Sequence, residues 1–522
     1  MSTIQLKRGE FSNLPLLKYG EPAYISDLKQ LYIGSGLENV PLGSFNITMN
    51  PSTAYPVYSF KTASTSLDCG LNNTITPSIP NMFAFGQEVT VSGNLAFAQG
   101  YKTTASGLRS HAEGAETTAS AINSHAEGTA TTASGTASHA EGNGTQAQGM
   151  ACHSEGSDTL ATHNYSHAEG YRTKAIAGAA HAEGDTTTAS GYGSHAEGHL
   201  STASGQYAKA MGLRTTASGD LSFCGGADSI ANNTQSFAYG TNLTSSGTAS
   251  VALNNSNLAS ARFTLATGYW TNATGNQANA FGERTWANVN NMTALGTCNK
   301  LGTGAIDEVQ PNNDIFIIGN GTYYPGDPDN PSDWTRSNAF RVNMAGRAYV
   351  QTQYVTGGAD YAEYYEWSDG NPLGEDRVGY FVTFDSKGKI KYANTPNEYI
   401  LGITSAYAGV SGNAASDQWH GMYQRDEFNR LLKTSFTSVN GNTFEINILS
   451  EDYDPEAEYV SREERNEWIE VGMLGKIRVR DDGTCVAGGK CNPTNGGIAT
   501  NSMNGYYVIQ RINSNVIEII FR

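Results

Sequence analysis

Around position 360 three carboxylates fall at a spacing of three among aromatic side chains, in Asp360-Tyr361-Ala362-Glu363-Tyr364-Tyr365-Glu366-Trp367. Aromatic walls that exclude water disfavour an ionised carboxyl, and a carboxyl tuned toward neutral pH can give or take a proton in a hydrolytic step. The pattern by itself fits better an aromatic-rich strand with solvated acids. Gly357 and Gly358, just ahead of the acids, open backbone conformations closed to other residues.

A second set of titratable groups is strictly periodic. His111, His125, His139, His153, His167, His181 and His195 stand 14 residues apart, and each is followed two places on by a glutamate: Glu113, Glu127, Glu141, Glu155, Glu169, Glu183 and Glu197. Rings of imidazole and carboxylate could hold a metal ion or sense pH. Alternatively, each histidine hydrogen-bonds a glutamate and the polar seam fixes register and assembly state. Seven near-identical copies favour the structural reading, so neither metal nor cofactor is expected. Acid below the histidine pKa should then loosen the seam by stacking charge on charge.

The period outruns the histidines. Phe83 and Phe97 precede them in frame, and Lys209, Phe223, Phe237, Val251, Leu265, Asn279 and Thr293 follow, making sixteen registers. A small residue, usually alanine, comes next in each, and glycine stands three places on everywhere except at Asn254. Fourteen residues are too few for a helix-containing repeat. They fit two short strands and two tight turns, with the glycines expected at the turns. Strand alternation puts His111 and Glu113 on one face and Ala112 on the other. The small residues then fill a thin interior, and the outward column, with its phenylalanines, needs cover from sister chains. At ~4.8 Å per coil, sixteen coils give a stalk on the order of 75–80 Å long.

Composition excludes several classes. The 522 residues carry a formal charge of -17 with no basic stripe, so no nucleic-acid partner is expected. Six scattered cysteines form no C-x-x-C pair, which leaves free thiols as the expectation. No secretion signal and no apolar run of roughly 20 residues is evident, so synthesis in the cytoplasm and no membrane insertion are expected. Five segments follow: a β-hairpin module at 1–40 (Pro22 to Ile25 with Leu31 to Ile33), a β linker at 41–80, the repeats at 81–296, a neck at 297–359 and a mostly β domain at 360–522. The neck holds an acidic loop, Asp327, Asp329 and Asp333, read as solvated rather than calcium-binding, and a hairpin turning at Ala345-Gly346.

Three stretches resemble known families. The repeats are similar to the head repeats of trimeric bacterial adhesins and related phage fibres, with Ser-His-Ala-Glu-Gly where those usually carry Ser-Val-Ala-Ile-Gly. That resemblance implies a left-handed parallel β-roll in a homotrimer. The pattern Leu6-Lys7-Arg8-Gly9, Gly20-Glu21-Pro22 and Leu31-Tyr32-Ile33-Gly34 resembles the N-terminal attachment module of phage tail fibres, tropism determinants and phage hyaluronate lyases, implying docking to a tail or baseplate protein. Gly357 to Trp367, Ile400 to Ala406, Val471 to Gly483 and Asn515 to Arg522 resemble the self-cleaving intramolecular chaperone domain of phage tail spikes and preneck appendages, of glutamic-peptidase type. In that family the domain trimerises and then cuts itself off before the Asp of a D-x-x-E motif. Carried over, the cleavage site is Ala359–Asp360, with Glu363 as base activating water and the Asp360 carboxyl protonating the departing amide. Ala359 has no hydroxyl, so an acyl shift through that side chain is unavailable.

The expectation is an all-β, elongated homotrimer: a phage or phage-derived tail fibre or spike in the virion, attaching to a bacterial surface receptor and matured by one self-cleavage. A trimeric autotransporter adhesin would need a secretion signal and a membrane-spanning β anchor. A surface-polysaccharide depolymerase would need a catalytic carboxylate pair in the stalk, where the acids form a ladder instead.

Overall fold

The computed structural model describes residues 66–303 (apart from 77, 78 and 80), 312–322, 334–415, 421–437 and 443–522, with the backbone of four short strands between residues 7 and 41. The chain divides into two compact units, Met1–Thr352 and Gln353–Arg522. The fold is all-β. Among the described residues the only helical segment is a single 3-10 turn, Arg462–Glu464.

The first unit is a β-solenoid. Each coil has a five-residue strand beginning at the key position, such as His111–Ala115, then a two-residue strand, such as Thr118–Ala119. The long strands pair in parallel at a constant offset, His111 on His125, Ala112 on Ala126, Glu113 on Glu127. The short strands form their own sixteen-stranded parallel sheet. Inside the histidine coils lie four small side chains each, for example Ser110, Ala112, Thr117 and Ala119, all fully or almost fully buried, with larger ones such as Met82, Leu243 and Met292 toward the ends of the stack. The thin small-residue interior is borne out.

The glycines sit elsewhere than expected. Gly114 lies within a strand, not at a turn, with φ +106, and a Cβ there would stand 2.0 Å from the carbonyl oxygen of Gly128 in the next coil. The column is glycine because the neighbouring backbone occupies the space of a side chain. The turns take their left-handed positions with ordinary residues, such as Arg109 at φ 58 and Glu116 at φ 59. Backbone hydrogen bonds hold them to the preceding coil, Arg109 N–H donating to Asn94 at 2.8 Å and Glu116 N–H to Tyr101 at 2.8 Å.

The stack is longer than the repeat. Leu67–Leu71 pairs in parallel with Phe83–Gln87, so a coil lies within the stretch expected to be linker. Beyond Gly296, Asp314–Asn320 pairs in parallel with Thr293–Thr297 and then receives the antiparallel hairpin Asn338–Asn343 and Ala348–Val350, which turns through Gly346 at φ +75. At the N-terminus, Pro22–Ile25 and Gln30–Gly34 form the expected antiparallel hairpin. Asp327, Asp329 and Asp333 lie outside the described residues.

On the outer face the seven imidazoles stack with centroids 4.6–4.9 Å apart and interplanar angles of 1–17°. Phe97 closes one end edge-on to His111 at 4.8 Å, and at the other Lys209 Nζ lies 3.5 Å from Glu197. The expected hydrogen bond in every rung is not made. One forms, between coils, His139 Nε2 to Glu127 Oε1 at 3.2 Å; other ion-pair approaches in the column span 3.4–4.0 Å. In-register stacking sets the carboxylates against one another. The flanking carboxyls of Glu141 and Glu169 push Glu155 up to about 7, while burial, and then the neighbouring imidazoles, hold His153 below its usual value.

These shifts act in opposite directions. A lowered histidine contributes stability that is full above its unfolded pKa near 6.5 and falls away below it, whereas a raised glutamate contributes stability that is full below about 4.5 and is lost as pH rises through about 7. Acid alone therefore does not simply loosen the column. Glu155→Gln should raise the melting temperature at pH 8 in metal-free buffer, and the gain should vanish at pH 5. A loss of stability at pH 8 would contradict the carboxyl–carboxyl repulsion.

The second unit carries a mixed but mainly antiparallel sheet. Its strands run, side by side, Ile390–Tyr392, Phe381–Phe384, Gly402–Thr404, Trp468–Arg480, Val516–Phe521, Tyr506–Asn513, Lys490–Thr494 and Ile498–Ser502. Phe381, Ile403, Val479, Val508, Ile517 and Ile519 are fully buried at its core. Cys485 and Cys491 are buried there as free thiols.

Candidate functional site

Asp360 opens the strand Asp360–Glu366, held between two others. It runs antiparallel to Trp468–Arg480, with Asp360 opposite Gly475, and parallel to Val410–Gly412, with Tyr361 opposite Val410. The register against the long strand shifts between Tyr361 and Ala362, a bulge of the kind that re-aims side chains. Asp360, Ala362 and Tyr364 turn to the buried side, and Tyr361, Glu363 and Tyr365 to the other.

The peptide between Ala359 and Asp360 is pinned on both flanks. The Lys476 N–H donates to the Ala359 carbonyl at 3.3 Å, and the Gly409 N–H donates to the Asp360 carbonyl at 2.8 Å. A donor on a carbonyl stabilises charge developing on its oxygen during attack. Upstream, the Thr356 hydroxyl donates to the Gly358 carbonyl at 3.0 Å. The approach is possible only for glycine. At Gly475, with φ +127, a Cβ would lie 2.2 Å from the Ala359 oxygen and 2.8 Å from Asp360 Cα.

The two acids are not brought together. Asp360 is buried, and its Oδ2 has no hydrogen-bond partner among the described residues; a Cβ on Gly472 would lie 2.7 Å from it. An unpartnered buried carboxylate oxygen is costly, and such atoms concentrate at functional sites. Glu363 faces the opposite side, where its carboxylate accepts from the Tyr361 hydroxyl at 2.6 Å and the Tyr365 hydroxyl at 3.3 Å. The aromatics that were expected to wall an acid from water act instead as its hydroxyl donors. Burial first, and the Glu363 charge second, push the Tyr365 hydroxyl up to about 12. Glu366, the third spaced carboxylate, is engaged by Lys389.

A cleft of about 460 Å³ opens on Ala359–Asp360, with Ser405, Tyr407, Lys476, Arg478 and Glu518 on its walls. At ~30 Å³ per molecule it has room for several waters beside the peptide. Sequence reasoning missed Lys476 and Gly475. Lys476 contributes a backbone amide, which no residue type announces. Gly475 left a usable signal, a glycine in the middle of a 13-residue strand, which marks a bulge or a close backbone approach.

Residues 323–518 match the family described as Peptidase_G2, IMC autoproteolytic cleavage domain. The match contains the pinned peptide, both acids and the Lys476 amide. Among curated proteins, the pre-neck appendage protein of Bacillus phage phi29 is 37% identical over 161 residues, 30% of this chain and 18% of that protein. The putative phage-related protein YobO of Bacillus subtilis (strain 168) is 33% identical over 157 residues, 30% of this chain and 19% of that protein. The chain thus spans about a fifth of the length of these relatives. The crystal structure of the phi29 gene product 12 C-terminal fragment is 31% identical, with a TM-score of 0.27, and covers 31% of this chain and 100% of the fragment.

Gly475→Ala should shift the Ala359 carbonyl off the Lys476 amide and destabilise the second unit by about 2–4 kcal/mol, read from urea unfolding. An unchanged midpoint would mean that the backbone at 475 has room to spare.

Proposed function

We propose that this chain is a trimeric phage tail appendage, a fibre or spike, that matures by cutting itself once between Ala359 and Asp360. The observation that carries the reading is the match of residues 323–518 to an autoproteolytic cleavage domain, with a carbonyl pinned by a backbone donor inside it. The similarity to phage pre-neck appendage proteins supports a place in the virion; in this reading the chain is made in the host cytoplasm. In this reading residues 1–40 dock the chain to a tail or baseplate protein. The solenoid, from the coil at Leu67–Leu71 to the neck, is the shaft presented to a bacterial surface receptor, and residues 360–522 are a folding domain shed by the cut.

Three copies meet through the His/Glu/Phe column. A single chain leaves Phe83 41% exposed there, an apolar side chain that association would cover.

In the cleavage, water attacks the Ala359 carbonyl carbon and the C–N bond to Asp360 breaks. The hydroxyl stays on Ala359, which becomes a carboxylate, and the Asp360 carboxyl hands a proton to the departing nitrogen. Glu363 takes the proton from water. Within its own chain Glu363 lies on the far face of the strand, so it serves the bond of a second copy, and assembly completes the site.

Expression of the full chain should give two bands on a denaturing gel, at roughly two-thirds and one-third of the mass, while Glu363→Ala and Asp360→Asn each stay whole. Co-expressed with distinguishable tags, the Glu363→Ala chain should be cut and the Asp360→Asn chain should not. Wild type that trimerises yet stays whole sinks the self-cleavage; a mixed trimer left uncut sinks the exchange of Glu363 between copies.

A further inference from the structure

The carboxylate column lacks the cations its charge requires. Glu127, Glu141, Glu155, Glu169 and Glu183 make ion pairs within 4.0 Å only with histidines, and the fixed charge of Lys209 reaches only Glu197 at the end. In-register pairing sets each of these glutamates directly over the one in the coil before. The ring nitrogens are unused as well. Nε2 of His111, His125, His153, His167, His181 and His195 is shielded from solvent and has no hydrogen-bond partner among the described residues.

Carboxylate oxygens and unprotonated ring nitrogens are together a donor set for a borderline-soft dication. Their spacing fits one. Zinc bonds of roughly 2.0–2.2 Å in tetrahedral array place neighbouring ligand atoms about 3.4 Å apart. The Nε2–Oε separations along the column already run from 3.2 to 4.0 Å. In triplets such as His111–Glu113–His125, His139–Glu141–His153 and His167–Glu169–His181, all three ligand atoms lie within 4.8 Å of one another. The two imidazoles of a triplet belong to adjacent coils and stack nearly parallel, so they would have to tilt toward each other to close on one ion.

We propose that the His/Glu column between His111 and Glu197 binds divalent transition-metal ions of the zinc class, each held by two histidines of adjacent coils and the glutamate between them. Two coils supply two carboxylates, which balance one dication. Seven histidines used two at a time accommodate three ions per chain, and water or the second carboxylate fills the fourth position. Magnesium, which prefers an all-oxygen octahedral shell, is not expected to compete. The inference is independent of the self-cleavage.

The test uses the protein as obtained on expressing the full chain, cut or whole, stripped with a chelator and titrated with zinc chloride by calorimetry, with magnesium chloride as control. Zinc uptake should approach three ions per chain and raise the melting temperature, and magnesium should do neither. Two variants with equal numbers of substitutions separate ligation from folding. Both use phenylalanine, which the same column carries at Phe97, Phe223 and Phe237. The triple variant His125→Phe, His153→Phe, His181→Phe leaves no two adjacent histidines and should lose every site. The triple variant His167→Phe, His181→Phe, His195→Phe leaves two adjacent pairs and should keep two ions. Folded wild type that takes up less than one zinc per chain overturns the proposal, as do two variants that bind zinc equally.

Discussion

The first unit depends on one constraint: parallel strands paired at a constant offset, so that every residue lies on its own equivalent in the next coil. Backbone hydrogen bonds, such as Thr118 N–H to the Thr131 carbonyl at 2.8 Å, impose this spacing on whatever side chains the coils carry. Like must then stack on like. For alanine the result is a fully buried inner column, and for phenylalanine a ring stack, Phe223 on Phe237 at 4.8 Å. For glycine it is a column with no room for a side chain at its glycine positions, broken only at Asn254, which holds φ 79. For glutamate it sets carboxyl against carboxyl, which raises Glu155 and lowers Glu141 and Glu169 on either side of it, and the column ends against Phe97 on one side and a lysine on the other.

The same backbone proximity operates at the cleavage peptide in a different form. There a single glycine, Gly475, lets one strand press its amides against the carbonyl of another. In the solenoid, close approach yields uniformity; here it yields one pinned bond beside an Asp360 Oδ2 that has no partner among the described residues. Both places exclude a Cβ by contact with backbone, which is harder to relieve than contact with a flexible side chain.

Columns were legible in the sequence because a 14-residue period writes itself out many times. The alternation of His111 and Glu113 against Ala112 already gave the inner and outer faces. What could not be read was anything set by position rather than by type. The glycines looked like turn residues because turns are where glycine is usually needed; only the next coil's carbonyl explains their place in the strand. The coil at Leu67–Leu71 lies at an irregular spacing and keeps the column glycine at Gly70, but Asp68 stands where the repeat has a small residue. At the cleavage site the motif named Asp360 and Glu363, but spacing along a strand says which face each takes only if the pairing is known. The bulge opposite Tyr361 and Ala362 and the Lys476 amide are both features of the partner strand.

A stack whose rungs are nearly interchangeable has a problem of register. Sliding one His/Glu coil past another by 14 residues restores almost every contact, so those rungs carry little information about alignment. The information lies in the coils that differ: Phe97 with Gln99, Lys209 with Met211, and the hairpin that ends the ladder after Asp314–Asn320. Correct stacking must be decided there, before the uniform middle can lock in any of its near-equivalent pairings. A chain built this way gains most from a folding element that fixes alignment at one end and is not needed afterwards, because once the coils are in register the repeated hydrogen bonds hold them without further help.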